Sequence, residues 1–123
     1  MISFEEFKKV ELKIGKILEA ERVDGSEKLL KLKVDFGESE PRQVISGIAK
    51  SYKLEKLVGK EFLFTTNLEP RNIMGFESQA MILATVKKGR KKSVSSYVDG
   101  NRDGDEVILM KPIKKVKPGS ELG

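Results

Sequence analysis

The sequence predicts an all-β protein, a small barrel or sandwich with a minor helix. Apolar and polar residues alternate over several short segments, with the period of half-buried strands. Turn-forming residues separate these segments at close spacing. The predicted order is a helix, a long bent strand, two further strands, a short helix, two strands and a variable C-terminal segment. This order matches the OB-fold, a five-stranded Greek-key barrel.

The chain opens with a short helix that carries two phenylalanines. Ser3 can cap this helix, and Glu6, three residues later, completes a capping box. Phe4 and Phe7 lie on one face at helical spacing. Because paired aromatic residues on a short terminal helix usually pack against other elements, we expect this face to cover the core.

Three strands follow. Residues 10–14 alternate as a half-buried strand, and Gly15 predicts a bulge or sharp bend because the apolar phase changes after it. Residues 30–36 alternate most strictly, with Lys31 and Lys33 on the polar face. Residues 42–47 form the third strand. A lysine-bearing face suits a strand that contacts nucleic acid, and it equally suits any strand with one face in solvent.

The later elements flank an unusually long connection. Residues 48–57 predict a short helical segment that ends at Gly59. Residues 62–66 are rich in strand formers, and residues 81–86 are apolar on both faces, as in a well-covered strand. The connection over 67–80 contains a proline, a glycine and several side-chain amides. Most connections are shorter and plainer, so we expect this loop to have a function.

The net charge of +5 is unevenly distributed along the 123 residues. Residues 1–86 carry 14 Lys plus Arg and 14 Asp plus Glu, whereas residues 87–123 carry 10 and 5. The excess is compatible with a phosphate-attracting arm and with a solvated loop. The length predicts one domain over 1–123, with a core over about 4–86 and a basic extension over 87–123.

Several function classes lack the residues they need. The chain has no cysteine and no histidine, which excludes disulfides, thiol chemistry and, in practice, a structural zinc site. It has no Walker A or GxGxxG motif, so we expect no nucleotide cofactor. Hydrolysis by paired carboxylates or a Ser–Lys pair has no supporting motif. Without a signal peptide or a membrane-spanning apolar run, a soluble cytoplasmic protein is expected.

One motif imitates a calcium site. Residues 99–105 match the first half of an EF-hand loop, with acidic or amide side chains at loop positions one, three and five and glycine at six. Position twelve should be a bidentate glutamate and is Met110. Because this ligand is missing, we expect no metal and interpret the segment as a turn rich in Asx and Gly.

Aromatic residues suited to base stacking are scarce. Tryptophan is absent, and Tyr52 and Tyr97 are the only tyrosines. Stacking on aromatic rings is the usual way to grip single strands without sequence preference. If the basic residues bind a nucleic acid, the scarcity of aromatic residues in the chain favours a structured RNA as the ligand. Such an RNA is recognised by its shape and through phosphate contacts.

Five blocks of the sequence resemble the tRNA-binding domain family. In order, they are FKKVELKIGKI at 7–17, GSEKLLKL at 25–32, VISGIA at 44–49, NLEPR at 67–71 and SQAMILA at 78–84. This family includes the C-terminal domain of methionyl-tRNA synthetase, its separate β subunit, free-standing tRNA-binding proteins and the endothelial monocyte-activating polypeptide module. The resemblance covers about residues 4–86.

The resemblance implies a non-catalytic OB-fold that binds tRNA by shape. It implies a homodimer, and as partners tRNA and, for a β subunit, the catalytic subunit of methionyl-tRNA synthetase. Carried over by position, the RNA contacts are Asn67, Arg71, Ser78 and Met81 beside the long loop, Ser46 near them, and Lys31, Lys33 and Arg42 as phosphate contacts from the second and third strands. One branch of the family implies an alternative, a dimeric secretion chaperone that binds peptides.

The chain departs from the family pattern at three positions. Ala80 stands where the family usually has glycine, Asn72 where it has a basic residue, and Leu54 where a proline opens the short helix. We expect Ala80 to alter the geometry of the loop and Asn72 to remove one phosphate contact. The apolar segments 73–76 and 107–110 are the sequence candidates for a dimer interface.

Overall fold

A computed structural model describes residues 1–88 and 106–123, and it confirms the all-β fold class. Its strands form a nearly closed five-stranded antiparallel barrel and two small hairpin-like sheets. The elements are α1 Phe4–Phe7, β1 Leu12–Arg22, β2 Leu30–Asp35, β3 Arg42–Ser46, the 3-10 helix Leu54–Lys56, β4 Glu61–Thr65, β5 Arg71–Ile73, β6 Phe76–Ser78, β7 Met81–Ile82, β8 Ala84–Lys87 and β9 Glu106–Leu109. The barrel has the strand order β3-β2-β1-β4-β7.

β1 is the long central strand, but its bulge does not lie at Gly15. Gly15 pairs regularly within the ladder to β4, and the register shift falls between Ile17 and Glu19 in the ladder to β2. A Cβ atom at Gly15 would lie 2.6 Å from both Val34 Cγ1 and Phe36 Cε1. The glycine is therefore required because core side chains cross directly over the strand, and the bulge prediction was wrong.

The barrel interior is filled by the apolar rows of the strands. As predicted, the four apolar residues of the second strand segment point inward, and all are buried: Leu30, Leu32, Val34 and Phe36. Phe36 packs edge-on against Phe64, with the ring centroids 5.1 Å apart. β2 therefore presents its lysines on the outer face of the sheet.

The long connection contains a small hairpin that packs on the outside of the barrel. Met74 and Gly75 have φ angles of 51° and 86°, and positive φ at both central residues is what a type I′ hairpin turn requires. Ile73 and Phe76 flank this turn and pack against a second apolar cluster of Val23, Leu29 and Ile45. The hairpin is thus fixed to the outer face of β2 and β3.

Side chains complete the barrel between β3 and the segment before β7. The backbone amide of Gln43 donates a hydrogen bond to Gln79 Oε1 (2.8 Å). The backbone amide of Gln79 donates to the backbone carbonyl of Gln43 (2.8 Å). The Ile45 amide donates to Ser78 Oγ (2.9 Å). Ser78 and Gln79, hereafter the closure pair, thereby satisfy the exposed edge of β3.

The last predicted core strand is divided. Residues 81–82 pair with β4 as β7, and the chain then leaves the barrel and pairs with β9 as β8. Met81 is 45% exposed and Val86 38% exposed, so this segment is not covered on both faces as predicted. The prediction was wrong because residues 81–86 are apolar for a different reason: the segment pairs first with β4 and then with β9, and it is not buried on both sides.

The C-terminal segment is hydrogen-bonded to the first half of β1, where β2 does not reach. The Ile14 amide donates to the Ser120 carbonyl (2.9 Å), and the Gly119 amide donates to the Ile14 carbonyl (2.7 Å). The Leu122 amide donates to the Leu12 carbonyl (3.2 Å). Residues 119–122 therefore extend the sheet beside β1.

The two predicted helices are shorter and less buried than expected. The capping box of α1 is present, but Phe4 is 70% exposed and Phe7 48% exposed, so the prediction that they cover the core was wrong. With only four residues, α1 lies outside the sheet. The second helix is a single 3-10 turn.

The imitation calcium loop at 99–105 lies outside the described residues. No described helix is long and apolar enough to cross a membrane.

Candidate nucleic-acid interface

The predicted RNA contacts divide between two grooves and the framework around them. Lys31, Lys33 and Arg42 line a groove of about 290 Å³ on the outer face of β2 and β3, hereafter the lysine groove. A larger groove of about 600 Å³, hereafter the Arg71 groove, is lined by Leu29, Ile45, Ser46, Gly47, Ile48, Arg71, Ile73, Met81, Ile82, Leu83, Ala84, Val86 and Val107. Asn67 lines neither of them.

Carboxylates on β1 neutralise the charges of the lysine groove. Lys31 Nζ lies 2.8 Å from Glu21 Oε1 and 4.7 Å from the centre of the Phe76 ring. Lys33 Nζ lies 3.7 Å from Glu19 Oε2. Each pair joins directly opposed residues of β1 and β2. The hydrogen bond from Lys31 lowers the pKa of Glu21. Exposed pairs of this kind are weak, so an incoming phosphate can replace the carboxylate.

Arg42 is a structural connector. Its Nε and Nη2 donate to the two carboxylate oxygens of Glu38 at 2.9 and 2.7 Å. Its Nη1 donates to the carbonyls of Thr66 (2.6 Å) and Gln79 (3.2 Å), and its guanidinium stacks over Phe36. The hydrogen bond to Glu38 raises the pKa of Arg42 and lowers that of Glu38. Arg42 therefore joins three connections, and its phosphate contact stays a prediction.

The Arg71 groove presents one cation above an apolar floor. Arg71 is exposed on β5, and its guanidinium has no hydrogen-bond or ion-pair partner among residues 1–88 and 106–123. No carboxylate stands among the described residues that line this groove. Ser46, which ends β3, and Met81, which is 45% exposed, also line this groove. An unpaired guanidinium beside apolar surface is chemically suited to a phosphate and its sugar.

Asn67 holds the N-terminal segment to the barrel. Its Oδ1 accepts from the Glu11 amide (2.8 Å), and its Nδ2 donates to the Lys9 carbonyl (2.7 Å). Beside it, Thr66 Oγ1 donates to Glu11 Oε1 (2.6 Å), which lowers the pKa of Glu11. Both polar atoms of Asn67 are engaged within the chain, and its RNA contact stays a prediction.

Ser78 is buried, and its hydroxyl is fully used. Ser78 Oγ accepts from the Ile45 amide and donates to the Ala80 carbonyl (3.1 Å). Its neighbour Gln79 was missed as a site residue by sequence reasoning, although it completes the closure pair. The only signal was a polar pair directly before a strand. Its meaning depends on the exposed edge of β3, which the sequence does not reveal.

The two loop departures have structural roles. Ala80 is buried, packs in the core cluster and lines a cleft of about 120 Å³ that Arg71 also lines. Asn72 Oδ1 accepts a hydrogen bond from the Gly75 amide (3.0 Å) and so stabilises the hairpin turn. The structure thus places Asn72 where it shapes the loop that carries Arg71.

Comparison with known proteins identifies relatives over the whole chain. The family model described as "Putative tRNA binding domain" matches residues 12–121. The methionine–tRNA ligase of Methanoregula boonei is 46% identical over 122 residues, which cover 99% of this chain and 16% of that protein. The chain thus spans about a sixth of the length of this curated relative.

Two solved structures share the fold over their full length. The MetRS related protein from Pyrococcus horikoshii superposes with a TM-score of 0.79 at 32% identity, and the match covers 100% of this chain and 98% of that one. The chaperone CsaA from Bacillus anthracis str. Ames superposes with a TM-score of 0.79 at 27% identity, covering 100% and 99%. With the family model, these matches confirm the predicted family: the chain belongs to the tRNA-binding domain family.

Proposed function

We propose that this chain is a non-catalytic tRNA-binding protein that acts in the cytoplasm and docks tRNA at the Arg71 groove. The observation that carries the proposal is the unpaired Arg71 guanidinium in a groove whose described lining contains no carboxylate. In a member of a tRNA-binding family, such a cation is the natural contact for a phosphate.

We assign different tasks to the eight predicted residues. Arg71, Ser46 and Met81 contact the RNA in the Arg71 groove. Lys31 and Lys33 exchange their carboxylate partners for phosphates. The remaining three position the loop, because their polar atoms are engaged within the chain: Arg42, Asn67 and Ser78.

The RNA is recognised by its shape. None of the described residues that line the Arg71 groove is aromatic, so the groove offers no ring on which a base could stack. Phosphate and ribose contacts read the overall form of a folded RNA and carry little sequence information. The proposal therefore predicts tRNA binding with little dependence on the anticodon.

A titration across salt concentrations tests this function. Intact tRNA and an unstructured RNA of the same length are titrated against the protein at several concentrations of KCl. We expect the tRNA to bind at least about tenfold more tightly, with affinity that falls steeply as salt rises. Equal affinity for both RNAs would reject recognition by shape, and absence of tRNA binding would reject the function.

We further propose that the protein forms a homodimer through the exposed face of α1. Phe4, Phe7 and Val10 are 70%, 48% and 43% exposed, which concentrates apolar surface at one place. The candidate segments from the sequence are less suitable. Val107 and Leu109 are buried in the core, and Ile73 and Phe76 pack against the second apolar cluster. A dimer would offer two Arg71 grooves to one tRNA.

The relatives supply a candidate partner. The chain matches part of methionine–tRNA ligases, and we propose that it can act as the β subunit that raises a synthetase's affinity for tRNA. Adding a separate methionyl-tRNA synthetase catalytic subunit should produce a ternary complex. An unchanged tRNA affinity and no co-migration of the proteins would favour a free-standing role.

A peptide-binding chaperone is the second candidate. It is favoured by the full-length match to the chaperone CsaA and by the apolar floor of the Arg71 groove. An extended apolar peptide could lie in the same groove. Suppression of the aggregation of an unfolded client, without measurable tRNA binding, would favour this candidate over the first.

A further inference from the structure

A strongly basic segment lies at residues 111–117, hereafter the lysine ribbon. Four of its seven residues are lysines and none is acidic: Lys111, Lys114, Lys115 and Lys117. All four are exposed, and none has an ion-pair partner among the residues that the structure describes. By contrast, Lys31 and Lys33 are neutralised by carboxylates. Among the described residues, the four lysine side chains of the ribbon are therefore unpaired.

The backbone of the ribbon is fixed to the barrel. Before it, the Met110 carbonyl accepts a hydrogen bond from the Leu63 amide (2.9 Å). Near its end, the Val116 amide donates to Glu61 Oε1 (2.9 Å). Pro112 and Pro118 further restrict the chain. Because the backbone is already ordered, binding of a ligand to these lysines costs the chain less conformational entropy than binding to a free tail would.

The ribbon begins close to the Arg71 groove. Val107 lines that groove, and Lys111 follows four residues later. Four residues span at most about 14 Å, even when fully extended. A double-helical arm of RNA is about as wide as this separation or wider, so one folded RNA can contact both places.

We propose that the lysine ribbon is a second phosphate-binding surface for the tRNA that occupies the Arg71 groove. This inference rests on the proposed function and adds a surface that strengthens its electrostatic attraction. The lysine groove can offer phosphates only charges that are already paired, whereas the ribbon offers unpaired ones. Each phosphate that a lysine neutralises contributes roughly 0.9 to the slope of log K against log salt for a duplex.

Two triple variants with the same change in net charge test the proposal. In the ribbon variant, Lys111, Lys114 and Lys115, which lie between the two backbone anchors, are changed to glutamine. The control variant carries Lys9→Gln, Lys53→Gln and Lys56→Gln at exposed positions elsewhere. Both are titrated with tRNA across KCl concentrations, after circular dichroism has verified that each is folded.

We expect the slope of log K against log salt to fall in magnitude by about 2 to 3 for the ribbon variant, and its tRNA affinity to fall at least about tenfold. For the control variant we expect the slope to change by less than about 1. Equal slope changes in both variants, or none in the ribbon variant, would overturn the inference while leaving tRNA binding by the unmodified protein intact. Failure of the unmodified protein to bind tRNA would reject the proposed function itself.

A vesicle experiment separates RNA from an anionic lipid surface as the ligand of the ribbon. Ile113 is fully exposed among the lysines, and such a combination can also bind a membrane surface. Vesicles containing phosphatidylserine are mixed with the unmodified protein and the ribbon variant. We expect no binding by either. Vesicle binding that requires the three lysines, together with an unchanged tRNA salt slope, would assign the ribbon to lipid and overturn the proposal.

Discussion

Arg42 and Arg71, which lie 29 residues apart in the sequence, show that the intrachain partners of a side chain decide its role. The Arg42 guanidinium donates four hydrogen bonds within the chain, whereas the Arg71 guanidinium has no partner among the described residues. Both were predicted to contact RNA from the sequence. The sequence could not distinguish the roles of the two arginines, because the partners of Arg42 lie on three different connections. These partners are Glu38, Thr66 and Gln79.

Arg71→Ala should weaken tRNA binding without affecting stability. One lost phosphate contact corresponds to about 1–2 kcal/mol, or roughly five- to thirtyfold in affinity. The thermal midpoint should not change, because no intrachain partner is lost. Arg22→Ala is the matched control, since Arg22 is exposed on β1 and does not line the groove. Equal losses in both variants would reject a specific role for Arg71.

The pair of Glu38 and Arg42 predicts a specific pH dependence of stability. The pKa of Glu38 is lowered in the folded chain by the hydrogen bond from Arg42. Its stabilising contribution is therefore present above the unfolded pKa of about 4.3 and is lost as the pH falls through the lower folded value. When denaturant unfolding is measured from pH 7 to pH 3, the free energy of unfolding should fall less for Glu38→Gln than for the original protein. Parallel pH profiles for the variant and the original protein would contradict this.

At the level of elements, the barrel depends on side chains at the place where its ladder is incomplete. Ser78 and Gln79 satisfy the edge of β3 and at the same time fix the β5–β6 hairpin that carries Arg71. Strand positions and most of the core could be predicted from alternation, because each strand encodes its own inner face. The closure pair could not, since its role depends on which edge it meets.

Gln79→Ala should reduce both stability and RNA binding. Without the Gln79 side chain, the Gln43 amide loses its acceptor, at a cost of about 1–3 kcal/mol in the free energy of unfolding. The hairpin is then held less firmly, and tRNA affinity should fall as well. Glu77→Ala is the control, because that side chain is exposed and only its backbone carbonyl is used. Denaturant unfolding and a tRNA titration measure the two effects.

Gly15→Ala should destabilise the barrel through its core. The new methyl would lie 2.6 Å from atoms of Val34 and Phe36, so side chains or backbone must move. Overpacking of this kind costs about 1–3 kcal/mol in the free energy of unfolding. Because Val34→Ala itself removes buried apolar atoms, the double variant Gly15→Ala/Val34→Ala should lose less stability than the sum of the two single variants. If Gly15→Ala alone had no effect on thermal unfolding, close packing at this position would be excluded.

On the scale of the whole molecule, the exposed phenylalanines of α1 are the clearest departure from the sequence prediction. Apolar periodicity shows that two residues share a face, but it does not show what covers that face. The same limit explains the division of residues 81–86 between two partners. Family membership could be predicted because the five sequence blocks of the family occur here in order. Which surfaces outside those blocks are exposed depends on the folded structure.

The double variant Phe4→Ser/Phe7→Ser should be monomeric if α1 forms the dimer interface. We expect sedimentation equilibrium to report a dimer for the original protein and a monomer for the variant, with weaker tRNA binding because only one barrel then engages each RNA. Val58→Ser, at a comparably exposed apolar position, should remain dimeric. A variant that stays dimeric would place the interface elsewhere.

The hydrogen bonds between residues 119–122 and β1 impose an order on biosynthesis. The first strand emerges from the ribosome more than a hundred residues before the segment that completes its edge, as the pairing of Lys13 with Glu121 shows. Until then the nascent chain must leave that edge of β1 open, and contacts so distant in sequence form slowly. The lysine ribbon lies just before this segment, so we expect it to reach its final position only when residues 119–122 dock beside β1. The capacity to hold tRNA firmly would then be acquired only after residues 119–122 have been synthesised.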